Sequence, residues 1–465
     1  MTSRTAEIEI PVCGKCCPLR SLIWTGSAWW VWACWLVGVS CAQPDVGAMQ
    51  KINSRMPPPP QLNVEAIQAR GLSVVRGAHL TLYSDVRDQA MLNDLLASFD
   101  SAVPQWCEMF GVSSRQAEPW HLIACLVADS QRFQGTGLWP GDLPEFPAGF
   151  NRGYQIWLFP QEGNYYTRHL LLHEGTHAFM QWFLGGSGPP WYSEGMAEWV
   201  GLHTGQSEHV RLQFRPTRRE QVEQWGRPKL LRKALDAGRR HRLEQVFDFP
   251  NMAFRDVEHY AWAWAACEFL SKHPLTHRAF ADLPSQAADT SSRFHSAFRR
   301  KLADHWLEIE RDWQLYIDEL DYGSDSSRAA LSHADIISHE QDVVIQLATD
   351  RSWQRTGVPI SAGDTVTIIS EGRFRVSGGE KPWDSESGGI TIQYYRGQPL
   401  GQLMATLLLE TANPTELPIA PALPIGTSRT ITFDRAGELL LRINESPARL
   451  DDNQGQLTIT IQRLR

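Results

Sequence analysis

The sequence predicts an α+β region that becomes mostly helical in its second half, followed by an all-β sandwich. Three observations carry this. Between about Leu72 and Phe159, short apolar runs alternate with a stretch of helical periodicity (Leu92, Leu95, Leu96, Phe99). From Glu194 to about Leu320 helical spacing dominates, with breaks near Gly226 and Pro250. Beyond Asp321-Tyr322-Gly323-Ser324 apolar and polar residues alternate, as in Thr365–Ile369, Thr391–Tyr394 and Leu457–Ile461, cut by Gly, Pro and Asn/Asp turns.

Composition agrees with a globular chain of two or three domains. Of 465 residues, 42% are hydrophobic, 21% charged and 10% aromatic, which excludes intrinsic disorder, collagen and a multi-spanning membrane protein. Lys and Arg number 44 against 52 Asp and Glu, a net charge of −8, so nucleic acid is not expected as the main partner. Trp is frequent, at 19 residues, and clusters near the candidate sites.

Residues 1–42 read as a targeting segment. Arg4, Lys15 and Arg20 outweigh Glu7 and Glu9, and an uncharged run, Ser21–Cys41, follows. Ser40-Cys41-Ala42 offers small residues for cleavage after Ala42, as in a signal peptide. The run is also long enough to span a bilayer as an uncleaved anchor, and Cys41 sits in a weak lipidation context. Export is the expectation in each case, to the periplasm, the medium or the cell envelope. Five of eight cysteines (Cys13, Cys16, Cys17, Cys34, Cys41) fall in this segment; Cys107, Cys125 and Cys267 remain, enough for one disulfide that the sequence does not assign. Residues 43–71, with Pro57-Pro58-Pro59-Pro60, read as a stiff extended linker.

The first globular region spans 72–325. Leu80–Tyr83 reads as a strand, Asp88–Phe110 as a helix, His121–Ala128 as a strand, Pro140–Gly149 as a loop and Tyr154–Phe159 as a strand. A long helix follows from about Tyr165 to Leu184 and contains His173-Glu174-Gly175-Thr176-His177. Histidines four residues apart project from one helical face, about 6 Å apart, and can bridge a zinc ion at about 2.0–2.1 Å per bond. Glu174, beside them, can take a proton from water. The flanks Leu170-Leu171-Leu172 and Ala178-Phe179-Met180 are apolar, so these polar groups must be satisfied or used. A third ligand is offered by Trp191-Tyr192-Ser193-Glu194-Gly195-Met196-Ala197-Glu198, behind a Gly/Pro turn (185–190) that can reverse the chain; a second helix starting near Ser193 would lay Glu194 against the first. Two His, one Glu and an open position is a catalytic rather than a structural zinc arrangement. Arg168, His169 and His203 read as structural.

H-E-x-x-H followed by W-x-x-E-G-x-A resembles the gluzincin metallopeptidases, including the membrane-alanyl-aminopeptidase type and the secreted peptidase MA-like proteins. The resemblance implies a zincin-like catalytic domain with His173, His177 and Glu194 as zinc ligands and Glu174 as general base. Glu198, one turn on, is either the rival third ligand or an outer carboxylate. The G-x-M-E-N exopeptidase motif is absent, so aminopeptidase action does not carry over. The family's oxyanion-stabilising Tyr, on a later helix, corresponds to Tyr260 in His259–Leu270; the competing reading is a core Tyr. In zincins the strand before the motif helix commonly pairs with extended substrate, a place taken here by Tyr154–Phe159. The implied activity is hydrolysis of peptide bonds in a peptide or protein substrate.

The last region, 342–465, resembles the small bacterial calcium-dependent galactose lectins of the PA-IL type over roughly residues 343–463. The likeness runs through Trp353-Gln354-Arg355-Thr356-Gly357, Ala362–Ile368, Gly372, Trp383, Gly397–Gly401 and the loop Asn444-Glu445-Ser446-Pro447 to Asp452-Asn453-Gln454-Gly455. It implies a lectin-like sandwich in which Glu445, Asp452 and Asn453 hold Ca²⁺ and a cell-surface or extracellular glycan is bound, with Glu445 standing where the pattern has Asp. The competing reading is an acidic turn without metal. The whole chain therefore reads as an exported zinc peptidase with a glycan- or surface-binding module. The alternative is a non-catalytic surface or carbohydrate-binding protein built on a degenerate gluzincin fold.

Overall fold

The computed structural model describes residues 59–331, 342–377, 382–410 and 416–464, all within one compact unit. The targeting segment, its cysteines and most of the linker lie outside the described residues. Among the described residues no helix is long and apolar enough to cross a membrane.

The linker ends earlier than its prolines suggest. Helix α1 (Val64–Ala69) starts directly after them, with the Asn63 side chain accepting the Ala66 N–H. Asn63 N–H also donates to Thr136 O at 2.8 Å, and Ile67 is buried with Leu72, Tyr83, Cys125 and Trp157. Those contacts tie residues 63–71 to the first region rather than to a spacer.

The first region is built on a five-stranded sheet in the order β1-β2-β3-β5-β4: β1 Ser73–Arg76, β2 Leu80–Ser84, β3 Leu122–Leu126, β4 Gly149–Arg152 and β5 Gln155–Leu158. β2, β3 and β5 run parallel, and β1 and β4 close the edges antiparallel. The central strands are buried and nearly all apolar, as two-face burial requires. β4 is the element that the pattern does not reveal: Gly149-Phe150-Asn151-Arg152 has no alternation, and only pairing with β5 makes it a strand. Its presence corrects the expectation for Tyr154–Phe159. β5 lies inside the sheet, and the free edge belongs to β4.

Helix α2 (Gln89–Phe110) and the motif helix α3 (Asn164–Leu184) pack on the sheet and on each other. Their contact is close because Gly175 has no side chain. A Cβ there would stand 2.7 Å from Trp106 and 2.8 Å from Phe99. Gly185, at φ 79°, ends α3 in the left-handed conformation, and the chain reverses into α4 (Pro190–Gly201), three residues before the expected start at Ser193. A short hairpin (β6 His203–Thr204, β7 Arg211–Leu212) and helices α5 (Arg227–Asp236), α6 (Val257–Lys272) and α7 (Trp306–Glu319) follow, with smaller helical turns between them. Trp106, Trp120, Trp157, Trp191, Trp225, Trp262 and Trp313 are all fully buried, so these seven tryptophans fill the core. Cys107, Cys125 and Cys267 are free and buried, and no disulfide forms among them. Burial holds all three thiols protonated.

The C-terminal region is all β. One four-stranded antiparallel sheet has the order β17-β10-β19-β8 (Ser428–Thr432, Thr365–Glu371, Gln456–Leu464, Val343–Ala348). The other is β16-β15-β18-β9 (Leu423–Pro424, Leu403–Leu408, Gly437–Ile443, Gln354–Ile360). Two hairpins, β11 (Phe374–Ser377) with β12 (Trp383–Ser385) and β13 (Ile390–Tyr395) with β14 (Gln398–Leu400), complete it. Alternate residues such as Val366, Ile368, Leu439, Leu441, Leu457 and Ile459 form one core shared by both sheets. A separate apolar cluster (Leu315, Leu331, Trp353, Met404, Leu408, Leu440) joins this region to α7. Beside it Arg442 Nη1 meets both Glu319 oxygens at 2.6 and 2.8 Å and stacks 4.4 Å over Trp353.

Candidate metal centre

Helices α3 and α4 bring three donor atoms together. His173 Nε2 and His177 Nε2 are 3.2 Å apart, and Glu194 Oε2 lies 3.3 Å from the first and 3.4 Å from the second. A tetrahedral ion with bonds of about 2.0–2.1 Å separates its ligands by about 3.3–3.4 Å. The triangle therefore has the size of one face of such a tetrahedron. Both histidines are buried, and Glu194 is part-exposed, which leaves an open side.

The carboxylates around the imidazoles favour positive charge on His173. Burial works against charge on His173, yet the Glu194 bond and the charges of Glu174, Glu198 and Glu194 hold it up at about 9. Burial likewise opposes the Glu194 carboxylate, but His177 and the His173 bond hold it down at about 2. A buried group of carboxylates and imidazoles can be neutralised by a proton or by a metal ion.

Glu174 faces no hydrogen-bond donor among the described residues and is 7% exposed. Burial raises its pKa, ahead of the lowering effect of His173 and His177, in the direction that suits a proton acceptor near neutral pH. Its carboxylate borders the free edge: a Cβ on Gly149 would sit 2.8 Å from Glu174 Oε1. Tyr260, on α6, lies with its ring 6.1 Å from that of His173. Its hydroxyl makes no hydrogen bond among the described residues. Burial and the carboxylates Glu194, Glu198 and Glu174 keep its proton on.

Glu198 does not join the triangle. It faces the opposite nitrogen of His173, with Oε1 3.6 Å from Nδ1 and Oε2 3.5 Å from His169 Nε2. Two bonds from Arg227 (3.0 and 2.8 Å) and one from Trp225 Nε1 (3.0 Å) hold it there, and Arg227 overcomes the effect of burial to keep it ionised. A carboxylate in this place would steady the imidazole if His173 held a metal ion. On the other candidate ligand, His177 Nδ1 lies 3.1 Å from Ser193 Oγ, which donates to Ser187 Oγ at 2.9 Å.

His169 belongs to a neighbouring group of donor atoms with His173 and Glu198, all within 4.8 Å of one another. It stands four residues before His173, on the same face, bonded through Nδ1 to Gly201 O at 3.0 Å and turned toward Glu198. Arg168 pairs with Asp94 and, at 2.9 Å, with His203, so those two stay structural. Arg227, Trp225, Ser193 and Gly149 escape sequence reasoning because their parts depend on chain segments that meet only in the fold. His169 carried a signal in the i, i+4, i+8 series.

In the loop Glu445–Asn453, Glu445 and Asn453 are buried, whereas Arg449 and Asp451 are exposed. Asn444 spends its amide on the carbonyls of Tyr395, Gln398 and Pro399, and Asn453 Nδ2 donates to Thr349 O at 2.9 Å. Glu445 Oε2 and Asn453 Oδ1 have no hydrogen-bond partner there. Burial, with Asp452 adding, pushes the Glu445 carboxyl up to about 8.

No protein-family model and no curated protein matches the sequence. Among solved structures, the chain is similar to the EclA N-terminal domain, a PllA-like lectin, with 17% identity and a TM-score of 0.20 over 26% of this chain and 96% of that one. It is also similar to PliG of Aeromonas hydrophila, a periplasmic inhibitor of g-type lysozyme, with 9% identity and a TM-score of 0.17 over 29% of this chain and 94% of that one.

Proposed function

We propose that the chain is an exported zinc-dependent peptidase whose first region is zincin-like. The observation that supports this most is the triangle of His173, His177 and Glu194 donor atoms at 3.2–3.4 Å, with an unbonded Glu174 carboxylate next to it. Zinc, when bound, supplies a Lewis acid that polarises a carbonyl and acidifies water. Glu174 accepts the proton of the attacking water at its carboxylate and returns it to the leaving amine. The Tyr260 hydroxyl donates to the developing oxyanion, a bond usually worth about 2–4 kcal/mol. The free edge of β4 takes the peptide backbone as an added strand, and Gly149 keeps the space beside Glu174 clear.

Purified protein is expected to hold about one zinc per chain by plasma emission, lost in a His173→Ala, His177→Ala double variant. Zinc that is neither present nor taken up on titration sinks this reading.

We read the C-terminal region as a lectin-like module for a cell-surface or extracellular glycan. A calcium ion at Glu445, Asp452 and Asn453 finds support in the unpartnered Glu445 and Asn453 oxygens. Calcium is then expected to raise the melting temperature, and EGTA to reverse the rise.

A further inference from the structure

A second concavity, a cleft of about 470 Å³, lies where the two regions meet. Its walls are fixed to each other. Gly323 approaches Ala448 so closely that a Cβ would stand 2.7 Å from the Ala448 oxygen, and Arg215 spans Asp325 at 3.1 Å and Asp451 at 3.5 Å.

Arg218 and Arg219 enter the cleft from the first region, Tyr394 and the loop residues Glu445 and Arg449 from the second. All three arginines are exposed, and none makes an ion pair among the described residues. Tyr394 is 57% exposed, a large ring left in water beside them. Glu445 is 3% exposed and keeps one carboxyl oxygen without a partner. Of the other wall carboxylates, Asp321 is engaged by its neighbour's N–H at 2.8 Å and Glu220 is exposed, so three exposed guanidinium groups share the wall with two exposed carboxylates and the buried Glu445.

A flat aromatic ring suits the face of a sugar. Planar guanidinium forks suit carboxylates, and a buried carboxyl suits a hydroxyl. We propose that this cleft binds an acidic oligosaccharide, with Tyr394 against a pyranose face, Arg218, Arg219 and Arg449 on its carboxylates, and Glu445 on a ring hydroxyl. The proposal rests on the glycan-binding half of the reading above and is independent of the peptidase half. It differs from a calcium-loop site in needing residues of both regions.

The test is calorimetric titration of the full chain with a galacturonate tetramer and with a neutral galactose tetramer, in calcium and in EGTA. Uronate binding in both buffers is expected, weakened about tenfold or more by Arg219→Glu and by Tyr394→Ala. Zinc content is expected to be unchanged in both variants, which also reports that they fold. Uronate binding indifferent to both substitutions overturns the proposal. Neutral-sugar binding that needs calcium and ignores the substitutions overturns the cleft while leaving a glycan-binding module standing. Binding of neither sugar overturns both, and zinc content still decides the peptidase question separately. Displacement of the uronate by poly-glutamate at equal charge overturns carbohydrate as the ligand class.

Discussion

Arg227 grips Glu198 with a two-pronged bond, Nε to Oε2 at 3.0 Å and Nη2 to Oε1 at 2.8 Å, with both side chains nearly buried. The pair stands behind His173, with Glu198 Oε1 3.6 Å from its Nδ1, so the surroundings of this candidate ligand include a residue of another helix, α5. Arg227→Met would leave the Glu198 charge uncompensated, at a cost of about 3–5 kcal/mol in stability. Zinc affinity should fall roughly 10- to 100-fold, as for other outer-carboxylate lesions. Competition against a fluorescent chelator measures this. Arg227→Lys, a point charge without the fork, should recover only part of it. Unchanged zinc affinity in Arg227→Met would reduce the pair to a stability element.

Glu174 and Gly149 form a second testable relationship. Glu174→Gln should keep zinc and lose roughly 10²–10⁴-fold in turnover of a peptide substrate. Gly149→Ala should also keep zinc, yet its new methyl, 2.8 Å from Glu174 Oε1, must displace the carboxylate. A fall in kcat of about tenfold or more is expected, on the reasoning that a 1 Å misplacement can cost 10²-fold. Full activity in Gly149→Ala would count against Glu174 as the base.

The described fold contains a buried group that makes stability depend on pH. Glu310, 6% exposed on α7, is lifted by burial from its ordinary 4.5 to about 7, although the N–H groups of Leu243 and Glu244 partly offset this. The folded state thus binds this proton more tightly than the unfolded chain. Stability from this group is full below about pH 4.5 and declines as pH rises to about 7, by an order of (7 − 4.5) × 1.36, about 3 kcal/mol. Urea midpoints of chelator-treated protein at pH 5 and pH 8 should differ in that direction. Glu310→Gln, neutral throughout, should flatten the difference. An equal slope in the variant would remove Glu310 as the cause.

Much of the fold was legible because its signals are local. The periodicity of Asp88–Phe110, the apolar run around the motif and the alternation after Ser324 each depend on neighbours in sequence, and each element appears where its pattern lies. The three donor residues were legible for the same reason, since i, i+4 spacing and a Gly/Pro reversal bring them together without help from the rest of the chain. β4 was not legible, because an edge strand of Gly, Phe, Asn and Arg is a strand only by virtue of β5. Nor was the Arg227–Glu198 bond, made across 29 residues of chain. The linker was overextended because four prolines masked the capping Asn63 that follows them.

Glu319 and Arg442 tie the two regions together, at 2.6 and 2.8 Å, where Trp353 also covers the guanidinium. With that bond and the apolar cluster around Leu315 and Leu440, the described regions should unfold in a single calorimetric transition. Glu319→Gln leaves a buried cation without its charge partner, a loss of about 3–5 kcal/mol. Two separated transitions are the expected result. One transition at an unchanged temperature would show that the apolar cluster alone couples the regions.

Gly195 follows the candidate ligand Glu194, and a Cβ on it would lie 2.4 Å from the Ala263 oxygen and 2.6 Å from Cys267 Sγ, both on α6. The glycine of the E-G pair is therefore a spacer between the two helices. One hydrogen atom in place of a methyl sets how far the helix bearing Glu194 stands from the helix bearing Tyr260. A larger residue at 195 would act as a shim, pushing the carboxylate and the phenol apart while leaving every functional group in the sequence. A homologous chain with H-E-x-x-H, the Glu and the Tyr intact but a bulky residue after the Glu should be expected to have a differently proportioned site.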